Sequence, residues 1–181
     1  EVFETVLGGA AETLLSEGTA DLAITPSAPS GASSEPLARM RFVAVAHPDH
    51  PLHRLDRPLT ARDLRKHRHL VVRESGARRT SATYTVDVEQ RWTLTSMASS
   101  IQAARMGLGF AWYPEEKIRE ELAAGTLVPL PLNKGLERFV EIYLILREAD
   151  SAGPGTLRLA QIIRDEVAHE WRSPQTGREK I

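Results

Sequence analysis

An α/β protein with parallel sheets is what the sequence predicts, on three observations. Short apolar runs alternate with amphipathic stretches along the chain, as in repeated strand–helix units. The 181 residues suit one sizeable domain or two small lobes. Hydrophobic residues make up 41% and charged residues 26%, which is ordinary for a globular protein and rules out wholesale disorder. Other classes fall away on composition. There is no cysteine, hence no disulfide scaffold, zinc–thiolate site or cysteine nucleophile. No apolar run approaches the roughly 20 residues of a membrane span. The net charge of -1 lacks the basic excess of a nucleic-acid binder.

The elements follow in order. Glu1–Val6 reads as a strand, and Gly8-Gly9 leads into a helix over Ala10–Glu17 with Leu14 and Leu15 inward, stopped by Gly18. Asp21–Thr25 is a short apolar strand of the buried type, and Pro26–Pro36, rich in Ser, Ala and Pro, is a loop. Met40–Ala46 is a strand, after which Pro48 and Pro51 keep a helix from starting early. Thr60 caps a helical turn through Leu64. Leu70–Arg73 is a strand, Ser75–Thr85 a polar, Arg-rich stretch, and Val88–Leu94 extended.

Ser96-Met97-Ala98 opens a helix with Ile101, Ala104 and Met106 inward, ended by Gly107-Leu108-Gly109. Phe110–Tyr113 is a strand, and Pro114 starts a helix running through Ile118 and Leu122 to Gly125. Leu127–Leu132 and Phe139–Leu146 are strands. Thr156–Trp171 is an amphipathic helix carrying Leu157, Leu159, Ile162, Ile163 and Val167.

Charge is unevenly placed. Residues 1–35 hold six acids and no Lys or Arg, whereas residues 54–91 hold ten basic groups against five acids. Two solvated faces are the plain reading of such blocks; complementary surfaces that meet when two copies pair are the sharper one. The chain opens at Glu1 with no charged n-region or apolar h-region and reads as a piece of something longer.

Candidate binding residues sit where a strand end meets a helix start, because unpaired N–H groups and the positive dipole end suit an anion there. Three such turns occur: Thr5-Val6-Leu7-Gly8-Gly9, Thr25-Pro26-Ser27 and Thr95-Ser96-Met97-Ala98. Ordinary helix capping is the competing reading of each Ser or Thr. Ser75 through Arg79 supplies guanidinium groups for a bidentate grip on a carboxylate or phosphate, Arg78 foremost, against a reading as solvated loop charges. Trp112 and Tyr113 stand at a strand end and are read either as ligand-facing or as core.

Other patterns carry less. His47, His50 and His53 have metal-like density, yet Pro48 and Pro51 break any helix that would stack them, so no metal site is expected. Glu115 and Glu116 diverge on a helix and suit its first turn. Gly107-Leu108-Gly109 lacks the third glycine of a dinucleotide loop, and no nucleophile–base pair assembles around His169.

Five segments in order resemble the effector-binding domain of LysR-type transcriptional regulators. They are Gly18–Ile24, Val43–Leu52, Leu59–Leu64, Gly107–Pro114 and Leu122–Leu130, within roughly residues 1–170. The resemblance implies a two-lobed fold like that of periplasmic type II binding proteins, with crossover strands Arg41–Ala46 and Val140–Leu146. Lobe one would be 1–47 with 143–181, lacking the family's first strand and helix, and lobe two 48–142. It implies a small, anionic effector held between the lobes by Thr5, Val6, Leu7, Thr25, Pro26, Ser75, Arg78, Thr95, Ser96, Met97, Trp112 and Tyr113.

Further implications concern motion and partners. Hinges would lie at Ala46, His47, Tyr143 and Leu144, and a dimer contact on Ile101, Gln102 and Arg105, in a homodimer or homotetramer of a longer cytoplasmic protein. DNA would be met only through a region outside this chain, with no cofactor, membrane or catalysis. The alternative from another class is an extracytoplasmic solute-binding protein of related fold; a small hydrolase fails for want of a convergent nucleophile and base.

Overall fold

A computed structural model describes residues 2, 11–26, 34–73, 86–133, 136–148 and 152–172. The expected strand Glu1–Val6 and the Arg-rich stretch Ser75–Thr85 lie outside them. The elements are α1 (Ala11–Ser16), β1 (Leu22–Thr25), β2 (Ser34–Ala46), α2 (Ala61–Arg65), β3 (His69–Val72), β4 (Arg91–Leu94), α3 (Met97–Arg105), β5 (Ala111–Pro114), α4 (Arg119–Ala123), β6 (Val128–Pro129), β7 (Arg138–Leu146) and α5 (Pro154–Arg172). The chain divides into two units: one is built on Arg39–Val140, the other on Ala11–Ala38 with the chain from Glu141 onward. Strands β2 and β7 are the two crossovers. Both start earlier than expected, and β2 takes in Ser34, Glu35 and Pro36 from the expected loop.

In the larger unit β2 pairs antiparallel with β5, placing Val43 opposite Tyr113, Ala44 opposite Trp112 and Val45 opposite Ala111. Side chains alternate across a strand, so this register sorts them by face. Val43, Val45, Ala111 and Tyr113 join one core cluster with Leu70, Ala104, Ile118 and Leu127. Ala44, Ala46, Phe110 and Trp112 join the other with Leu52, Leu59, Leu64 and Leu130. The small alanines of β2 stand across from the aromatics of β5, which leaves the large rings room. Strand β6 also pairs antiparallel with β2 and covers only two of the six residues expected as a strand from Leu127; Leu132 makes an isolated parallel bridge to Leu59.

The expected parallel sheets are therefore realised only in part. Strand β3 runs parallel to β4, and His69 bridges Phe110 in parallel. The pairings of β2 with β5 and β6 are antiparallel, as is that of β1 with β7. Strand–helix alternation shows that successive strands are not simple hairpins, but a long crossover strand can take antiparallel partners on either side of it.

Helix α3 starts as expected: Ser96 is its N-cap, its hydroxyl oxygen accepting from the Ser99 N–H at 3.1 Å. Buried Ser100 on α3 bonds the Tyr113 hydroxyl at 2.7 Å, and burial pushes that phenol well above its usual range. Gly107, at φ 74°, turns the chain out of the helix. Met106, expected inward, is 65% exposed because α3 ends at Arg105 and helical periodicity no longer governs it. Pro114 closes β5 and leads into a 3-10 turn, Glu115–Ile118, before α4.

In the smaller unit α1 buries Leu15, and Gly18, at φ 72°, ends it as expected. Strand β1 lies antiparallel on β7, from Leu22 opposite Leu146 to Thr25 opposite Tyr143. It is not the fully buried strand expected, since Ile24 is half exposed while Thr25 is buried. Helix α5 is long and amphipathic as read, but its phase differs. The inward stripe is Thr156, Ala160, Ile163, Arg164 and Val167, spaced at i, i+4, i+7, i+8 and i+11, and Leu157, Leu159 and Ile162 lie off it, exposed. Arg164 makes a bidentate pair with Glu35, and Arg147 reaches Asp21 at 2.9 Å.

Candidate ligand-binding site

One aromatic cluster in the larger unit is built around the start of β3. Gly109 lets Arg68 and Phe110 approach: the Phe110 N–H donates to the Arg68 carbonyl at 3.0 Å, and the Leu70 N–H donates to the Phe110 carbonyl at 2.9 Å. This clamp sets His69 beside β5. Its ring stacks on Phe110, with centroids 5.1 Å apart and planes 11° from parallel, and meets Trp112 edge-on at 5.3 Å. From the start of β7, the Arg138 guanidinium lies over the Trp112 ring, 3.7 Å from its centroid.

A pocket of about 50 Å³ opens against this cluster, lined by Phe42, His69, Leu70, Val71, Val72, Met97, Trp112 and Arg138. Its wall is apolar apart from three groups, the His69 ring, the Trp112 indole and the Arg138 guanidinium. His69 is 3% exposed and Trp112 9%. His69 Nδ1 and Trp112 Nε1 are buried without a hydrogen-bond partner. Burial pushes the His69 pKa down to about 3, and the positive charges of Arg138 and Arg91 push the same way. The imidazole is therefore neutral at physiological pH, and the potential around it is positive.

Of the residues expected to hold a ligand, the structure brings Met97 and Trp112 to this pocket. Thr95 and Ser96 precede Met97, with Thr95 exposed and the Ser96 hydroxyl engaged in capping α3 and donating to Ser99 Oγ at 2.8 Å. Tyr113 belongs to the opposite face of β5 and is core. Thr25 and Pro26 lie in the smaller unit, Thr25 buried in the β1 ladder. Thr5, Val6, Leu7, Ser75 and Arg78 lie outside the described residues. Sequence reasoning missed Phe42, His69 and Arg138: each opens or ends inside a strand with no local motif, and only the pairing of β3 with β5 and the path of β7 bring them together.

The expected hinge and interface residues are also placed. Ala46 is buried and pairs with Val128, with His47 next to it, and Tyr143 and Leu144 pair with Thr25 and Ile24. The division between units falls instead at Ala38–Arg39 and Val140–Glu141, earlier in both strands than the expected 47/48 and 142/143. On α3, Gln102 and Arg105 are exposed, but Ile101 packs against the core and does not face outward.

The histidine-rich segment serves local structure. His50 is buried at the N-cap of the 3-10 turn Pro51–Arg54, its Nδ1 accepting from the Leu52 N–H at 3.3 Å, and His47 Nδ1 accepts from the Asp49 N–H at 3.2 Å. Burial and the neighbouring His67, His53 and His47 push His50 down to about 4. Among the described residues no group of His, Cys, Asp or Glu could hold a metal ion.

Two α/β units threaded by the same pair of strands define a ligand-binding domain of the periplasmic type II binding-protein class. More narrowly, the chain belongs to the family of LysR substrate binding domains, whose model matches residues 3–168. It is 33% identical over 131 residues to YhaJ of Escherichia coli K12, a probable HTH-type transcriptional regulator, covering 70% of this chain and 44% of that protein. The chain thus matches less than half the length of that relative.

Among solved structures it is similar to the regulatory domain of MetR, a LysR family regulator from N. meningitidis. The TM-score there is 0.67 at 22% identity, covering 89% of this chain and 79% of that one. It is also similar to the regulatory domain of CcmR from Synechocystis in complex with 2-PG, with a TM-score of 0.71 at 17% identity over 88% and 79% of the two chains. Among the described residues no helix is long and apolar enough to cross a membrane.

Proposed function

We propose that this chain is the effector-sensing domain of a LysR-type transcriptional regulator and that it binds a small anionic metabolite in the pocket of the larger unit. The observation that carries this reading is the pocket itself, an apolar recess at the meeting of β2, β3, β5 and β7 with one guanidinium in its wall. Met97 and Trp112 contact the effector, and Thr95 and Ser96 stand at the start of α3, whose N-terminal dipole favours negative charge. Family membership and the regulator names of the relatives support sensing over solute transport or catalysis. DNA contact belongs to a region outside this chain, in a cytoplasmic protein that works as a homodimer or homotetramer.

A thermal-shift screen of small carboxylates, phosphates, sugars and amino acids tests the reading. A ligand at 100 times its dissociation constant adds about 2.7 kcal/mol of stability, an upward shift easily read. No shift with any class would overturn it.

A further inference from the structure

Two buried nitrogens in the pocket wall have no partner, and both belong to side chains more than nine-tenths buried. Such groups carry a desolvation cost in native proteins unless something meets them. The indole Nε1 can only donate. A neutral imidazole donates from one nitrogen and accepts at the other. Arg138 adds a fixed positive charge over the indole ring, and Arg91 adds to the positive potential at His69. The remaining wall, Phe42, Leu70, Val71, Val72 and Met97, is apolar.

The missing partner is therefore an acceptor that bears negative charge and carries an apolar body. A phosphate dianion suits the site poorly, because its three or four oxygens would meet two N–H donors and otherwise hydrocarbon. A carboxylate presents two oxygens to two donors. The recess of about 50 Å³ is well below the roughly 150 Å³ of a cavity that encloses benzene, so it admits the acid group and the first few carbons behind it.

Resting on the effector-sensing reading, we propose that the pocket recognises the carboxylate end of a small apolar monoacid. The Trp112 indole N–H donates to one carboxylate oxygen, the His69 Nδ1–H to the other, and Arg138 supplies the opposing charge. No bond is made or broken.

The test is a ¹H–¹⁵N NMR titration of the full 181-residue chain with crotonate and 2-furoate, against 2-furamide and inorganic phosphate as controls. The indole N–H signal of Trp112 is the one absent from Trp112→Phe. Each acid is expected to move it to lower field, saturably, while the amide and phosphate leave it in place. Trp112→Phe and, independently of any repacking at the indole, Arg138→Gln are each expected to weaken acid binding about tenfold or more, as for a lost charge-assisted hydrogen bond.

An unmoved Trp112 signal with both acids overturns the proposal, and so does acid binding undiminished in both variants. If the thermal screen meanwhile finds a phosphate or sugar that binds, the effector-sensing reading stands and only the carboxylate assignment falls. If no class of compound binds, the broader reading falls too.

Discussion

Replacing Gly109 by alanine tests the clamp that positions His69. A Cβ built at Gly109 would meet the Arg68 carbonyl oxygen at 2.5 Å and Leu70 Cγ at 3.2 Å. The first is a collision with backbone, so β3 and the start of β5 must separate. That movement strains the Phe110 N–H to Arg68 and Leu70 N–H to Phe110 hydrogen bonds, at 3.0 and 2.9 Å. Two weakened bonds at about 1 kcal/mol each, with overpacking of about 1–3 kcal/mol, give an expected loss of about 2–4 kcal/mol. Gly107→Ala is the control. Its Cβ has room, the nearest atom being His47 Cβ at 3.8 Å, but φ is 74°, so the cost is the left-handed backbone alone, about 1–2 kcal/mol. Urea unfolding followed by far-UV circular dichroism gives both numbers. A Gly109→Ala chain within about 0.5 kcal/mol of the parent, or a larger loss at Gly107 than at Gly109, would refute the clamp.

Four further outcomes are expected. Ser100→Ala leaves the Tyr113 hydroxyl buried without its 2.7 Å partner and costs about 1–3 kcal/mol; the double variant with Tyr113→Phe recovers part of that loss, as a denaturation cycle would read. Burial holds His50 near 4 and His69 near 3, both below the ordinary value of 6.5, so the unfolded chain binds more protons than the folded one as pH falls from 6.5. Stability is accordingly full above 6.5 and declines as acid is added through about 4; His50→Asn, which keeps an acceptor for the Leu52 N–H, flattens part of that decline in melts run across the range. Arg164→Ala breaks the exposed pair with Glu35 and costs no more than about 1 kcal/mol, less at high salt, by urea titration in two buffers. Self-association through α3 is weak and falls with salt, and Arg105→Glu reduces it further; sedimentation that finds a tight, salt-insensitive dimer contradicts this placement.

Much of the fold was legible because its signals are local. Gly18, Gly107 and Gly125 end helices where the sequence put them, all at positive φ. At Thr60 the backbone N–H and the hydroxyl both donate to the Asp63 carboxylate, a capping interaction readable from the T-x-x-D spacing. Polarity of pairing was not legible, since β2 and β7 find antiparallel partners far away in sequence. The phase of α5 was misread for a related reason. Leucines and isoleucines suggest an inward face by their hydropathy, yet the buried stripe passes through Thr156, Ala160 and Arg164, whose placement answers to small size and to an ion pair. Met97 and Trp112 could be picked out at element boundaries, whereas His69 looked like the first residue of an ordinary strand.

The pocket owes its chemistry to the same alternation that builds the core. On β5 every second side chain faces the cluster containing Ala44 and Ala46, and those positions hold Phe110 and Trp112. Had the register slipped by one residue, Tyr113 and Ala111 would face that cluster instead, and the edge-on contact of His69 with Trp112 would be lost. The tyrosine already has Ser100 as a partner on its own face, so its hydroxyl is satisfied within the fold. The indole and imidazole nitrogens on the other face have none. Satisfied polar atoms on one side of the strand and unsatisfied ones on the other mark which side is finished by folding. The unfinished side carries Arg138 over the indole, and it is the side from which a ligand would be held.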